Sequence, residues 1–426
     1  MVKSLERSIN IGFISFRFHG TDGVSLETSK WAQVLEEMGH GCYYFSGLSD
    51  RPSERSMVVE EAHFLEPETR QYYIKFFSST QRTHEETRWI HSRREFFKAH
   101  FYAFIKKFKI DLIIPQNILS FPLNIPLSMA LVEIIAETGI PAIAHHHDFT
   151  WERKPLLVNS IRDYINMAIP PSLPSIQHVV INSSAGHQLA RRVGVSSINI
   201  PNVMDFENPP PESDAYSSDM RDALGIEPDE LFILQPTRVV QRKGIEHAVE
   251  LVSRLGRKAR LVVSHASGDD GYEYEARVSD FAARMGVRTI FSSERFGENR
   301  GTTEGGKKIY SLSDAYPHAD LITYPSLIEG FGNAFLEALY YKKPIVVNNY
   351  AIYATDIRPK GFKVIEFDDY ITEKTIQDTN HILDDPSYQA GLCRFNYALA
   401  LRHFSYKVLR STFQVLLANA FGTNEQ

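Results

Sequence analysis

The feature that most constrains this chain is an alternation, run through twice, of short aliphatic or β-branched runs with longer amphipathic segments. Such alternation is what a parallel sheet covered by helices demands, because both faces of each strand are buried and each crossover needs a helix. The fold class is therefore α/β. In the first half, strands are predicted at Ile9–Ser15, Cys42–Phe45, Ile110–Ile114, Pro141–His145, His178–Ile181 and Ile198–Ile200. Beyond the polar, proline-rich ENPPPESDAYSSD the pattern restarts, with strands at Leu231–Gln235, Arg260–Val263, Arg288–Phe291, Leu321–Tyr324, Pro344–Val347 and Lys363–Ile365. The expected division is 1–205, 206–395, and a C-terminal helical stretch 396–426 crossing back to the first domain. Residues 51–109 are helical, aromatic and charged and break the simple alternation. They read as a helical insertion, either solvated or capping a substrate cleft.

Composition narrows the function classes. With 46 basic and 52 acidic side chains the net charge is −6, so no global positive field is available to hold a nucleic acid. The only two cysteines, Cys42 and Cys393, are far apart, which argues against a disulfide framework or a structural zinc site and for a reducing cytoplasm. The N-terminus lacks the layout of a signal peptide. The uncharged run Leu112–Val132 carries Pro115, Pro122 and Pro126, which make a poor lipid-facing helix, so it reads as a buried strand, a loop and a helix start.

Open α/β sheets bind ligands beyond the C-terminal ends of their strands, so the loops there hold the candidate chemistry. After the first strand, FRFHGTDGVSLET offers Gly20 and Gly23 for tight turns before a helix, with Arg17 beside them as a partner for an anionic group. No GxGxxG is present. At a strand end stand His145, His146, His147 and Asp148. Strand alternation sends His145 and His147 one way and His146 the other, which makes three ligands on one metal awkward. A buried structural or metal role and a His–Asp pair facing a substrate both stay open on the residues alone.

In the second half, Arg238 and Lys243 stand five residues apart at a strand-to-helix junction, where they can converge on a diphosphate or simply form a solvated basic loop. Glu329 and Glu337 straddle a turn in which Gly330 and Gly332 free the backbone and a helix begins near Asn333. Their positions, one before the glycines and one within the helix, suit different parts of one ligand better than a glycosidase pair. The acidic loop from Ser264 to Gly271 reads as a surface loop, with a base or sugar border as the alternative.

Together these residues resemble the family 4 retaining glycosyltransferases of GT-B architecture over nearly the whole chain. The family's Arg-x4-Lys matches Arg238 and Lys243, its Glu-x7-Glu matches Glu329 and Glu337, and ADLITYPSLIEGFGNAFLEALYYKKPIV is similar to its donor-site text. IPNVMD is similar to the family's linker, with Met204 near the position where glycine is usual. The resemblance implies two Rossmann-like domains facing across a cleft and a nucleotide-diphosphate sugar as co-substrate, with neither cofactor nor metal. It implies that Arg238 and Lys243 neutralise the diphosphate, that Glu337 receives ribose hydroxyls and Glu329 the donor sugar's hydroxyls, and that backbone amides from Gly330 through Phe331 and Gly332 to Asn333 hold phosphate and sugar. It implies further that His147, followed by Asp148 as in the family's His-Asp pattern, donates to a donor-sugar hydroxyl, and that Gly20 and Gly23 stand beside the acceptor and the diphosphate; Arg17 and Asp148 are the further candidates for binding the acceptor. The expected activity is transfer of glucose or mannose to a hydroxyl of a small soluble sugar or glycerate-type glycoside. A lipid- or polysaccharide-directed transferase, a sugar phosphorylase or epimerase, and a non-catalytic nucleotide-sugar binding module are the alternatives.

Overall fold

The computed structural model describes residues 7–20, 22–265, 272–291 and 294–422, so most of the Ser264–Gly271 loop lies outside the described residues. The chain divides into two compact units, residues 1–203 with 406–426, and residues 204–405.

The first unit is built on β1 (Asn10–Ile14), β2 (Gly41–Ser46), β3 (Ser56–Val58), β4 (Leu112–Pro115), β5 (Ala142–His146), β6 (Ile176–Val180) and β7 (Ser197–Asn199). They form a parallel sheet in the order β3-β2-β1-β4-β5-β6-β7. Alternating side chains feed two cores: Ile113 of β4 joins one, while Leu112 and Ile114 join the other. The first core is covered by α3 (His84–Phe108) and α4 (Ile125–Thr138), which follow α1 (Gly23–Glu37) and α2 (Pro67–Phe77) in the chain. The second is covered by α1, through Trp31, Val34 and Leu35, and by the C-terminal helix Tyr406–Phe421.

The stretch 51–109 departs from the expected insertion. It supplies the edge strand β3, and α3 lays Phe97, Phe101, Phe104 and Phe108 on the sheet at helical spacing. Each such burial contributes roughly 1.5–3 kcal/mol. Gly12 of β1 is part of the fit, because an added Cβ would come within 2.7 Å of the Phe104 ring. The charges that suggested a solvated segment flank that aromatic stripe, where Lys98 pairs with Glu133 and Glu137 of α4.

The second unit holds a six-stranded parallel sheet made of β8 (Leu231–Gln235), β9 (Ala259–Val263), β10 (Arg288–Phe291), β13 (Leu321–Tyr324), β14 (Ile345–Asn348) and β15 (Ile365–Phe367), in the order β10-β9-β8-β13-β14-β15. A small hairpin of β11 (Gly301–Thr302) and β12 (Lys308–Ile309) interrupts the alternation. Strand order reverses between β1 and β4 in the first sheet and between β8 and β13 in the second. In open α/β sheets such switch points are where ligand-binding loops are found.

Candidate functional site

In the second unit the loops that leave β8 and β13 meet. The β8 loop ends in a 3-10 turn, Gln241–Lys243, followed by Gly244 at φ +58° and the helix Ile245–Arg254. Only glycine fits at 244, since an added Cβ would lie 2.5 Å from the Pro325 carbonyl oxygen. Across this contact the Leu327 amide donates to the Arg242 carbonyl at 2.8 Å.

The two loops share a nearly dry ionic cluster. The Lys243 ammonium donates to Glu329, and Arg242 donates to the other carboxylate oxygen at 3.3 Å and to the Ile328 carbonyl at 3.2 Å. The Lys243 and Glu329 side chains are only 11% and 9% exposed, so the pair is shielded from the water that makes surface ion pairs weak. Burial drives the Glu329 carboxyl upward, but the Lys243 charge and hydrogen bond, with Ser326 and Arg242 adding to them, outweigh it and hold the group below the usual carboxylate range. Burial lowers the Lys243 ammonium, and Arg242 and Arg238 push the same way against Glu329. Arg238 lies exposed on the same loop and is close enough to Lys243 and His265 to act on both. Thus Arg238, Lys243 and Glu329 are brought together.

The remaining donor-side residues follow the turn. Gly332, at φ +125°, has no room for a Cβ, which would sit 2.5 Å from the Tyr350 hydroxyl. That hydroxyl donates to the Phe331 carbonyl at 2.6 Å, while the Phe331 ring packs edge-on against Phe404. Gly330 is exposed, and Asn333 opens the helix Asn333–Tyr340. Glu337, inside that helix, accepts from the buried Tyr316 hydroxyl at 2.6 Å, a partner different from those of Glu329.

In the first unit the candidates stand on the loops after β1, β4 and β5. Gly20, at φ +75°, donates its amide to Asp50 at 3.0 Å. Asp22 caps α1 by accepting from the amides of Val24 and Ser25, and Arg17 approaches it at 3.4 Å while lying over the Phe64 ring. Nothing lies within 4 Å of a Cβ built on Gly23, so packing does not explain that glycine.

The histidine run divides as strand alternation requires. His146 turns to His178, with ring nitrogens 2.9 Å apart, whereas His145 and His147 lie ring to ring at 4.1 Å. His145 is fully buried, stacks on Trp31 at 4.0 Å, and has no hydrogen-bond partner on either ring nitrogen. His147 is half-buried, and its Nε2 lies 3.0 Å from the Gln116 carbonyl oxygen. Burial pulls its pKa down to about 4 against the pull of Asp148 and Asp22, so the ring is neutral at neutral pH. Asp148 forms an ion pair with Arg153 at 2.8 Å. Among the described residues no group of three or more His, Cys, Asp or Glu side chains could hold a metal ion, and no helix is long and apolar enough to cross a membrane.

Three residues of these networks were not singled out from the sequence. Gln116 and Asn117 directly follow β4; Asn117, at φ +62°, accepts the amides of both His147 and Asp148 on its side-chain oxygen at 3.0 Å. Their only signal is polarity directly after a strand predicted to be buried. Arg242 was hidden in the basic loop by its neighbour Lys243.

No family model matches the chain. The mannosylglucosylglycerate synthase of Thermotoga maritima is 32% identical over 435 aligned positions, covering 94% of this chain and 98% of that protein. Its namesake from Petrotoga mobilis is 31% identical over 377 positions, covering 84% and 86%. Among solved structures, a glycosyltransferase from Rickettsia africae is similar with a TM-score of 0.68 at 14% identity, over 98% of this chain and 100% of its own. At that identity the likeness speaks for the fold, a GT-B pair of Rossmann-like domains. The chain is a glycosyltransferase and belongs to the family that contains the mannosylglucosylglycerate synthases.

Proposed function

We propose that this protein is a retaining, metal-independent hexosyltransferase of the cytoplasm, moving mannose or glucose from a nucleotide-diphosphate sugar to a hydroxyl of a glucosylglycerate-type acceptor. The observation that carries the donor side is the Arg238, Arg242, Lys243 and Glu329 cluster at the β8/β13 switch point. The names of the two relatives aligned over most of the chain support the acceptor class.

Breaking the bond between a sugar and a diphosphate builds negative charge on the leaving group and positive charge on the sugar ring. Arg238 and Lys243 are fixed cations that lower this barrier at the phosphates without reorganising. Glu329 accepts hydroxyls of the donor sugar and Glu337 those of the ribose, while the amides from Gly330 to Asn333 hold phosphate and sugar. His147 hydrogen-bonds a donor-sugar hydroxyl near the reacting carbon. Arg17, Gly20, Gly23 and Asp148 receive the acceptor, with Arg17 facing its carboxylate. No covalent nucleophile is assigned; the acceptor attacks the face that the diphosphate leaves, and a departing phosphate oxygen takes its proton.

NMR of the purified protein with UDP-, GDP- and ADP-hexoses in turn, with and without glucosylglycerate, tests this reading. One donor consumed only with that acceptor, giving an α-linked product from an α-linked donor, is the expected result. A β-linked product would overturn retention, and transfer only to a lipid or polymer would overturn the acceptor class.

A further inference from the structure

The His147 side chain is held by a partner that the reading above does not use. Gln116 is fully buried where β4 ends, one bridge away from His145, and its carbonyl oxygen meets His147 Nε2 at 3.0 Å. A carbonyl oxygen can only accept, so in this contact the imidazole proton resides on Nε2. No described residue hydrogen-bonds Nδ1. The backbone is fixed as well, because Asn117 takes the His147 and Asp148 amides together. Behind the ring, His145 and Trp31 form a stack that limits its tilt.

We propose that Gln116 is a positioning residue that keeps the His147 proton on Nε2, so that Nδ1 receives a hydrogen bond from the donor-sugar hydroxyl instead of giving one. This rests on the reading of His147 as a donor-sugar contact and reverses the direction of the bond that the family resemblance implied. A hydroxyl that donates to Nδ1 carries more electron density on its oxygen, which favours the positive charge that grows on the neighbouring ring carbon. A ring already neutral suits that role. Burial keeps it so, with Asp148 and Asp22 the charges that oppose, Arg153 pairing with Asp148, and His145 and His146 packed nearby as neutral rings.

Two measurements test the proposal. Two-bond proton–nitrogen NMR spectra of histidine-labelled protein, assigned with His147→Ala, should show His147 as the neutral form protonated at Nε2. A spectrum protonated at Nδ1 overturns the inference whatever the kinetics. In steady-state transfer assays Gln116→Leu should lower kcat by about tenfold and leave the donor KM within about twofold. Gln116→Glu keeps an acceptor in place but adds a charge that stabilises the imidazolium, so activity should persist at alkaline pH while the acid limb of the profile moves upward. Should Gln116→Leu fail to fold, the Gln116→Glu profile and the parent spectrum decide, and an unmoved profile in Gln116→Glu counts against the proposal. Transfer retained by His147→Ala removes the parent reading of that residue. Transfer lost in His147→Ala but parental in Gln116→Leu overturns the positioning role alone.

Discussion

The two sheets share the order of six strands, the first adding a seventh, and carry their candidate loops at or next to the point of strand reversal, yet they arm those loops differently. The first domain presents neutral hydrogen-bonding groups, with His145, His146, His147 and His178 all pulled below the ordinary histidine pKa mainly by burial. The second presents full charges, with Lys243 and Arg242 on Glu329 and Arg238 exposed beside them. Under the proposed function this difference divides labour on one scaffold: charge for the leaving diphosphate, orientation for the hydroxyls.

That contrast can be broken most directly at Glu329. Glu329→Ala should abolish measurable transfer, and because it strands the buried Lys243 it should also destabilise the second domain by about 3–5 kcal/mol, as removal of one partner of a buried pair does. Thermal unfolding beside the activity assay separates the two effects, and full residual activity would remove Glu329 from the site. Next in size, Arg238→Ala should lower kcat/KM by about 100-fold through loss of phosphate stabilisation while leaving the melting temperature unchanged, since the residue is exposed. A shifted melting temperature with intact kinetics would make Arg238 a structural residue.

A smaller effect is expected in the first domain. Arg17→Ala should raise the acceptor KM by about tenfold, the worth of one charged hydrogen bond, with donor affinity intact. An unchanged acceptor KM would take Arg17 out of the acceptor site. Smallest is a pH effect on stability. A histidine whose folded pKa lies below its unfolded value binds fewer protons folded than unfolded, so the stability it contributes is present above about 6.5 and is lost as pH falls towards about 4. Glu329, whose folded pKa is also depressed, loses its contribution only as pH falls through the carboxylate range. Burial lowers His265 of the second domain to about 4 as well, but the first domain holds His145, His146, His147 and His178, so hydrogen exchange at pH 5 should show the first domain loosening before the second. Equal loosening of both would erase the electrostatic distinction between them.

The second half was the more legible in the sequence. Leu231–Gln235, Arg288–Phe291 and Leu321–Tyr324 stand where the apolar runs ended, because each run is bounded by a turn or a charged residue. The Arg238, Lys243 and Glu329 grouping came from the resemblance to the glycosyltransferase family, since on the residues alone a solvated basic loop stayed open. The first half hid more. β3 has three residues, one of them the exposed Val58, and is too short to show a period. The regular aromatic spacing of Phe97, Phe101, Phe104 and Phe108 was obscured by the arginines and lysines between them. Gln116 could not be identified because its role depends on a neighbour 31 residues away.

The contact between Gly244 and the Pro325 carbonyl carries a consequence for redesign. The loop that bears Arg242 and Lys243 and the loop that bears Glu329 touch without a side chain between them and exchange a backbone hydrogen bond. They therefore form one exchangeable cassette. A chimera that imported the first loop from a transferase with another nucleotide preference, but kept the native second loop, would inherit a mismatched seam. On the proposed donor assignment, changing the donor by loop grafting means moving 236–244 and 325–332 as a matched set.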